Sequence, residues 1–131
     1  KAADGLSGKG SSKIQAALLG PGVFDYAAMS ESSREYKNMS TYCSSASDAK
    51  AAWGQQGGIY GIKRRSVPCF LFYNTTDDAE YATQMKRLTS LMDKTGSRHE
   101  MLIDYGTGHS VPQETEHLRQ MYSFLKSVMR K

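Results

Sequence analysis

Apolar residues fall along this chain in two rhythms. Over 67–73 they run almost unbroken as VPCFLFY, and over 98–105 Met101, Leu102 and Ile103 form the centre of a second short run. Runs of this length, bounded by polar turns, predict strands buried on both faces. Pro68 is tolerated near the first position of its strand, where a missing N–H costs little. IQAALL, at 14–19, is a third such run, stopped by Gly20, Pro21 and Gly22, and its shortness favours a buried strand over a helix. Elsewhere the period lengthens. Tyr81, Met85, Leu88 and Leu91 or Met92 recur at helical spacing across 79–94, with Gly96 as the expected C-terminal cap. Leu118, Met121, Tyr122, Leu125 and Val128 or Met129 mark a final amphipathic helix.

The remaining stretches are less patterned. Residues 1–13, rich in Gly and Ser, read as loop, and 23–29 as a short helix or turn with Asp25 as its cap. Over 30–65 the periodicity is lost. Tyr36, Tyr42, Trp53 and Tyr60 stand there among Ser, Gly, Asn and Ala, which predicts short helices and loops, either a structural excursion or a segment over a substrate. The order is then strand, excursion, strand, helix, strand, helix. Such alternation predicts an α/β fold with a parallel sheet of about three strands and helices on its faces, because parallel neighbours need a crossover.

Composition narrows the function. The 131 residues have the length of a single domain, and 17 basic against 13 acidic residues give a net charge of only +4. Lys63, Arg64 and Arg65 make the only tight basic run, so nucleic acid is not an expected partner. Cys43 and Cys69 show no metal-ligand spacing, and neither do the histidines and acids, so no metal or other cofactor is implied. No apolar run reaches membrane-spanning length and no signal-peptide pattern opens the chain, so the reading is of a soluble protein with no membrane partner. A start at Lys1 in a polar segment suits a fragment or a processed chain.

In parallel α/β sheets chemistry collects beyond the carboxyl ends of the strands. Asp77 and His109 both lie there, after successive strands, and an aspartate that fixes the tautomer of a histidine makes it a general base. Gly106 and Gly108 free the backbone to aim His109 into a cleft, although a histidine that merely fastens the loop fits the same spacing. Asp78 competes with Asp77 for the acid role, or caps the following helix. Asp104, near the exit of its strand, is a further candidate for orienting a loop. His99 and His117 are expected to face solvent.

The residues after Pro68, the turn Asn74-Thr75-Thr76-Asp77-Asp78 and the loop Gly106-Thr107-Gly108-His109 resemble the C-terminal portion of the α/β-hydrolase family, its small esterases and peptidase-like members especially. That family has a Gly-Thr-x-Asp-Asp turn, whose first aspartate is the triad acid, and a Gly-x-Gly-His loop. The resemblance therefore implies Asp77 as acid and His109 as general base, with Asn74 where the family has glycine. It further implies that IQAALL and its turn precede a cap region at 30–65, and that 66–131 carries acid and base. The family's nucleophile sits in a Gly-x-Ser-x-Gly elbow between a strand and a helix. Ser7 does not fit, since Lys9 replaces the second glycine and too few residues separate it from Ile14 for that helix. The resemblance thus implies one partial domain spanning 1–131, the C-terminal part of a serine hydrolase of small-molecule esters, lacking the amino-terminal half of its fold and inactive alone. A noncatalytic α/β binding module is the alternative.

Overall fold

The computed structural model describes residues 14–39, 41, 45, 48, 51, 57–62, 64–106 and 108–129. The loop expected at 1–13 with its Ser7, and Tyr42, Cys43, Trp53, Lys63 and Thr107, lie outside them. The described elements are β1 (Ala17–Leu19), a 3-10 turn (Tyr26–Ala28), α1 (Arg34–Met39), a second 3-10 turn (Gly58–Gly61), β2 (Cys69–Asn74), α2 (Ala79–Lys94), β3 (His99–Asp104) and α3 (Thr115–Val128). The strands form one parallel sheet in the order β1-β2-β3, as the alternation of strand and helix predicts.

β2 is the centre of the sheet and every one of its residues is buried. Its alternate side chains serve two cores. Cys69, Leu71 and Tyr73 pack with Met85, Leu88 and Met92 of α2, while Phe70 and Phe72 pack with Leu102 of β3 and Met121 and Phe124 of α3. Each large apolar side chain so enclosed contributes roughly 1.5–3 kcal/mol. The Phe70 and Phe124 rings meet at 5.6 Å and 59°, the tilted arrangement that aromatic quadrupoles favour.

Both ends of α2 follow from sequence. Asp78 caps its N-terminus by accepting from Glu80 N at 2.9 Å. At the other end Gly96 adopts φ +65°, and the bonds Ser97 N to Met92 O at 2.8 Å and Gly96 N to Asp93 O at 3.1 Å form a Schellman closure.

Several expectations are corrected. β1 is shorter than 14–19 and is not buried on both faces: among the described residues it pairs with β2 alone, and its Leu18 is exposed. Asp25 precedes a 3-10 turn without capping it. Its carboxylate instead accepts from Tyr60 Oη at 2.8 Å and pairs with Arg87 Nη1 at 3.4 Å. On α3 the sheet takes Met121 and Phe124, one turn apart, and leaves Leu118 and Tyr122 exposed on the flanks.

Cys69 is fully buried, and burial pushes its thiol from 9.0 up to about 11. A raised folded value stabilises the fold below the unfolded value and is lost as pH climbs, here from about 9 to about 11. Iodoacetamide at pH 8 is expected to leave Cys69 unmodified in the native protein and to alkylate it fully in denaturant, as peptide mass mapping would show. Rapid native labelling would contradict the packing.

Candidate active site

The register of β2 and β3 sets the site. Asn74 lies opposite Asp104, so both strands end level and their following loops run side by side. Side chains of the first loop hold the second. Asn74 Oδ1 accepts from Thr76 N at 2.9 Å and from Gly106 N at 3.3 Å, and Thr76 Oγ1 accepts from Gly108 N at 3.2 Å. Gly106 at φ +102° and Gly108 at φ +63° take left-handed conformations, and no atom lies within 4 Å of a Cβ built on either, so backbone conformation and not space requires glycine there.

These bonds tie together the loops that carry Asp77 and His109. Asp77 Oδ2 lies 2.6 Å from His109 Nδ1. The Asp77 side chain is 1% exposed and that of His109 54% exposed, so a buried carboxylate supports an imidazole open to solvent. The other carboxylate oxygen accepts from Asp78 N at 2.8 Å and from Arg34 Nη2 at 3.1 Å. The Tyr81 ring stands 4.9 Å from the imidazole at 38°, and Tyr81 Oη donates to Glu35 Oε1 at 2.6 Å. Burial first, and then the bond to Glu35, push the Tyr81 hydroxyl up to about 12. The Arg34 guanidinium is raised above its ordinary value by Tyr81 first and Asp77 second.

The other candidates serve elsewhere. Asp78 spends one oxygen on the α2 cap and the other on Arg34 N at 2.9 Å. Asp104 is buried with Oδ1 2.9 Å from His117 Nδ1, an approach not aligned as a hydrogen bond. His117 is therefore not solvent-facing; its side chain is 19% exposed beneath the end of β3. Nor is His99, whose Nδ1 lies 3.0 Å from Ser97 O in a half-buried position. Among the described residues no group of three His, Cys, Asp or Glu side chains converges as metal ligands would. None of the described helices is long and apolar enough to cross a membrane.

Solved esterases share this architecture. Esterase 2 of Thermogutta terrifontis phosphonylated by sarin matches with a TM-score of 0.64 at 15% identity, over 98% of this chain and 54% of that one. A truncated carbohydrate esterase from gut microbiota matches at 0.64 and 16%, over 91% of this chain and 44% of that one. The propionate-bound form of the Thermogutta terrifontis enzyme matches at 0.58 and 15%, over 98% and 53%. The fold matches a part of each of these esterase structures. This chain spans about half the length of these structures. No protein-family model matches it, and no curated protein does.

Sequence reasoning did not find Arg34, Glu35 or the placement of Tyr81 against His109. Arg34 and Glu35 lie in the unpatterned stretch, and Tyr81 reads as one more member of the apolar stripe of α2. No local signal marks the first two; for Tyr81 the signal available is its hydroxyl, in the first turn of the helix that Asp78 caps.

Proposed function

We propose that the chain is the C-terminal part of a serine hydrolase acting on carboxylic esters, with Asp77 as triad acid and His109 as general base. The observation that carries this reading is the 2.6 Å contact of the buried Asp77 carboxylate with His109 Nδ1, at the carboxyl ends of adjacent parallel strands. With the carboxylate as acceptor, Nδ1 holds the proton and Nε2 presents a lone pair. A serine hydroxyl delivered to Nε2 then gives up its proton as it attacks the ester carbonyl. The imidazolium, stabilised by Asp77, returns that proton to the departing alcohol, and water repeats the cycle on the acyl-enzyme. In this reading the serine and the oxyanion donors belong to an amino-terminal half of the fold outside these 131 residues, and 30–65 forms a cap. The fold shared with esterases over about half their length supports it.

The test compares this chain with the same chain extended upstream, using a fluorophosphonate label and a p-nitrophenyl ester. The 131 residues are expected to take no label and to hydrolyse no ester above background. The extended protein is expected to be labelled on a serine of a Gly-x-Ser-x-Gly elbow. An upstream sequence with no such elbow would leave a binding module, in which Asp77 and His109 only fasten two loops.

A further inference from the structure

We infer that Arg34 is a positioning residue for the Asp77–His109 pair, so that the pair is assembled only when the segment carrying Arg34 is docked on α2. The inference rests on the proposed acid and base roles and adds to them a control by a remote part of the chain.

Arg34 addresses both aspartates of the turn. Its guanidinium donates to Asp77 Oδ1 at 3.1 Å, and its main-chain N donates to Asp78 Oδ2 at 2.9 Å. The main-chain bond fixes where the side chain starts, and the side chain fixes one carboxylate oxygen. With Asp78 N on the same oxygen at 2.8 Å, the remaining oxygen, Oδ2, is left to His109. Glu35, the next residue, addresses the base. Its Oε1 accepts from Tyr81 Oη at 2.6 Å, and the Tyr81 ring lies against the imidazole at 4.9 Å. Arg34 Nε also lies 3.7 Å from Glu35 Oε1. Adjacent residues of α1 thus hold the acid directly and the base through a ring.

Arg34 itself is 57% exposed, and an exposed arginine on an exposed carboxylate would do little. Here the carboxylate is only 1% exposed, so the donors that reach it decide its orientation, and Arg34 is the charged one that joins Asp78 N on Oδ1. A rotation of Asp77 that would cost nothing at the surface would here remove the acceptor from Nδ1 and release the tautomer.

The experiment is proton NMR of the histidine-labelled protein, reading the downfield Nδ1–H resonance of His109 that a short bond to carboxylate produces. Wild type is expected to show the signal, Arg34→Met to lose it with the methyl spectrum and circular dichroism unchanged, and Arg34→Lys to retain it in weakened form. A signal that survives in Arg34→Met, exchanging with water as in wild type, overturns the inference and leaves the acid and base roles standing. Absence of the signal in folded wild type removes both. In the extended protein Arg34→Met is expected to lower kcat about 100-fold with KM little changed, the cost of misplacing a catalytic group by about 1 Å. An unchanged kcat also overturns the inference.

Discussion

Replacing His109 with alanine in the extended protein is expected to lower kcat for a p-nitrophenyl ester about 10⁶-fold, and Asp77→Asn about 10⁴-fold. The two losses differ for a structural reason. Without His109 no group accepts the serine proton. With Asn at 77 the imidazole remains, but an amide NH₂ directed at Nδ1 across the 2.6 Å contact makes Nδ1 an acceptor and moves the ring proton to Nε2, where the base is needed. The neighbouring acid supplies the control. Asp78 accepts from Glu80 N and Arg34 N, so Asp78→Ala is expected to cost about 0.5–2 kcal/mol of stability as a lost helix cap, and to lower kcat by no more than the roughly 100-fold of Arg34→Met, because it frees the main chain of Arg34 but leaves Asp77 and His109 in place. Steady-state kinetics with denaturant titration of each variant separates these outcomes. A His109→Ala enzyme within tenfold of wild type would end the assignment.

The parts of this molecule that sequence reveals are those whose cause is local. The α2 stripe, the Gly96 stop and the apolar run of β2 follow from spacing and residue type within one element, and so does the place of Asp77 and His109 just after their strands; that the two strands end level is set by the register between them. What could not be read depends on distant neighbours. IQAALL has the composition of a buried strand, yet whether a strand is buried depends on what lies beside it, and among the described residues β1 has a partner on one side only. His117 lies on the face of α3 that sequence assigns to solvent, but the end of β3 brings Asp104 under it. Arg34 reaches Asp77 across a separation of 43 residues, from a stretch with no period at all. Gln84 is an intermediate case. It falls three residues after Tyr81 and four before Leu88, on the apolar stripe itself, and a polar residue there is a legible sign of a buried network.

That network carries the largest expected effect on stability. Gln84 is fully buried on α2. Its Oε1 accepts from Phe24 N at 3.0 Å and Asp25 N at 2.7 Å, and its Nε2 donates to Asp25 O at 3.1 Å and Glu80 Oε1 at 2.7 Å. Glu80, also buried, accepts from Ser30 N at 2.9 Å through its other oxygen. One side chain therefore fixes the chain on its way from β1 to Arg34. Gln84→Met keeps the length and much of the volume but pairs with none of these groups. Each buried polar group left unpaired costs about 1–3 kcal/mol, and water entering the gap recovers part of it, so a net loss of about 3–6 kcal/mol is expected in urea unfolding. That is as large as truncating a core leucine to alanine. The His109 Nδ1–H resonance is expected to weaken in the same variant, because the segment that Gln84 holds is the one that brings Arg34 to Asp77. A loss below about 1 kcal/mol would mean that the polar groups find partners without Gln84, and that apolar contacts of Phe24 with the core, rather than this network, hold the segment to α2.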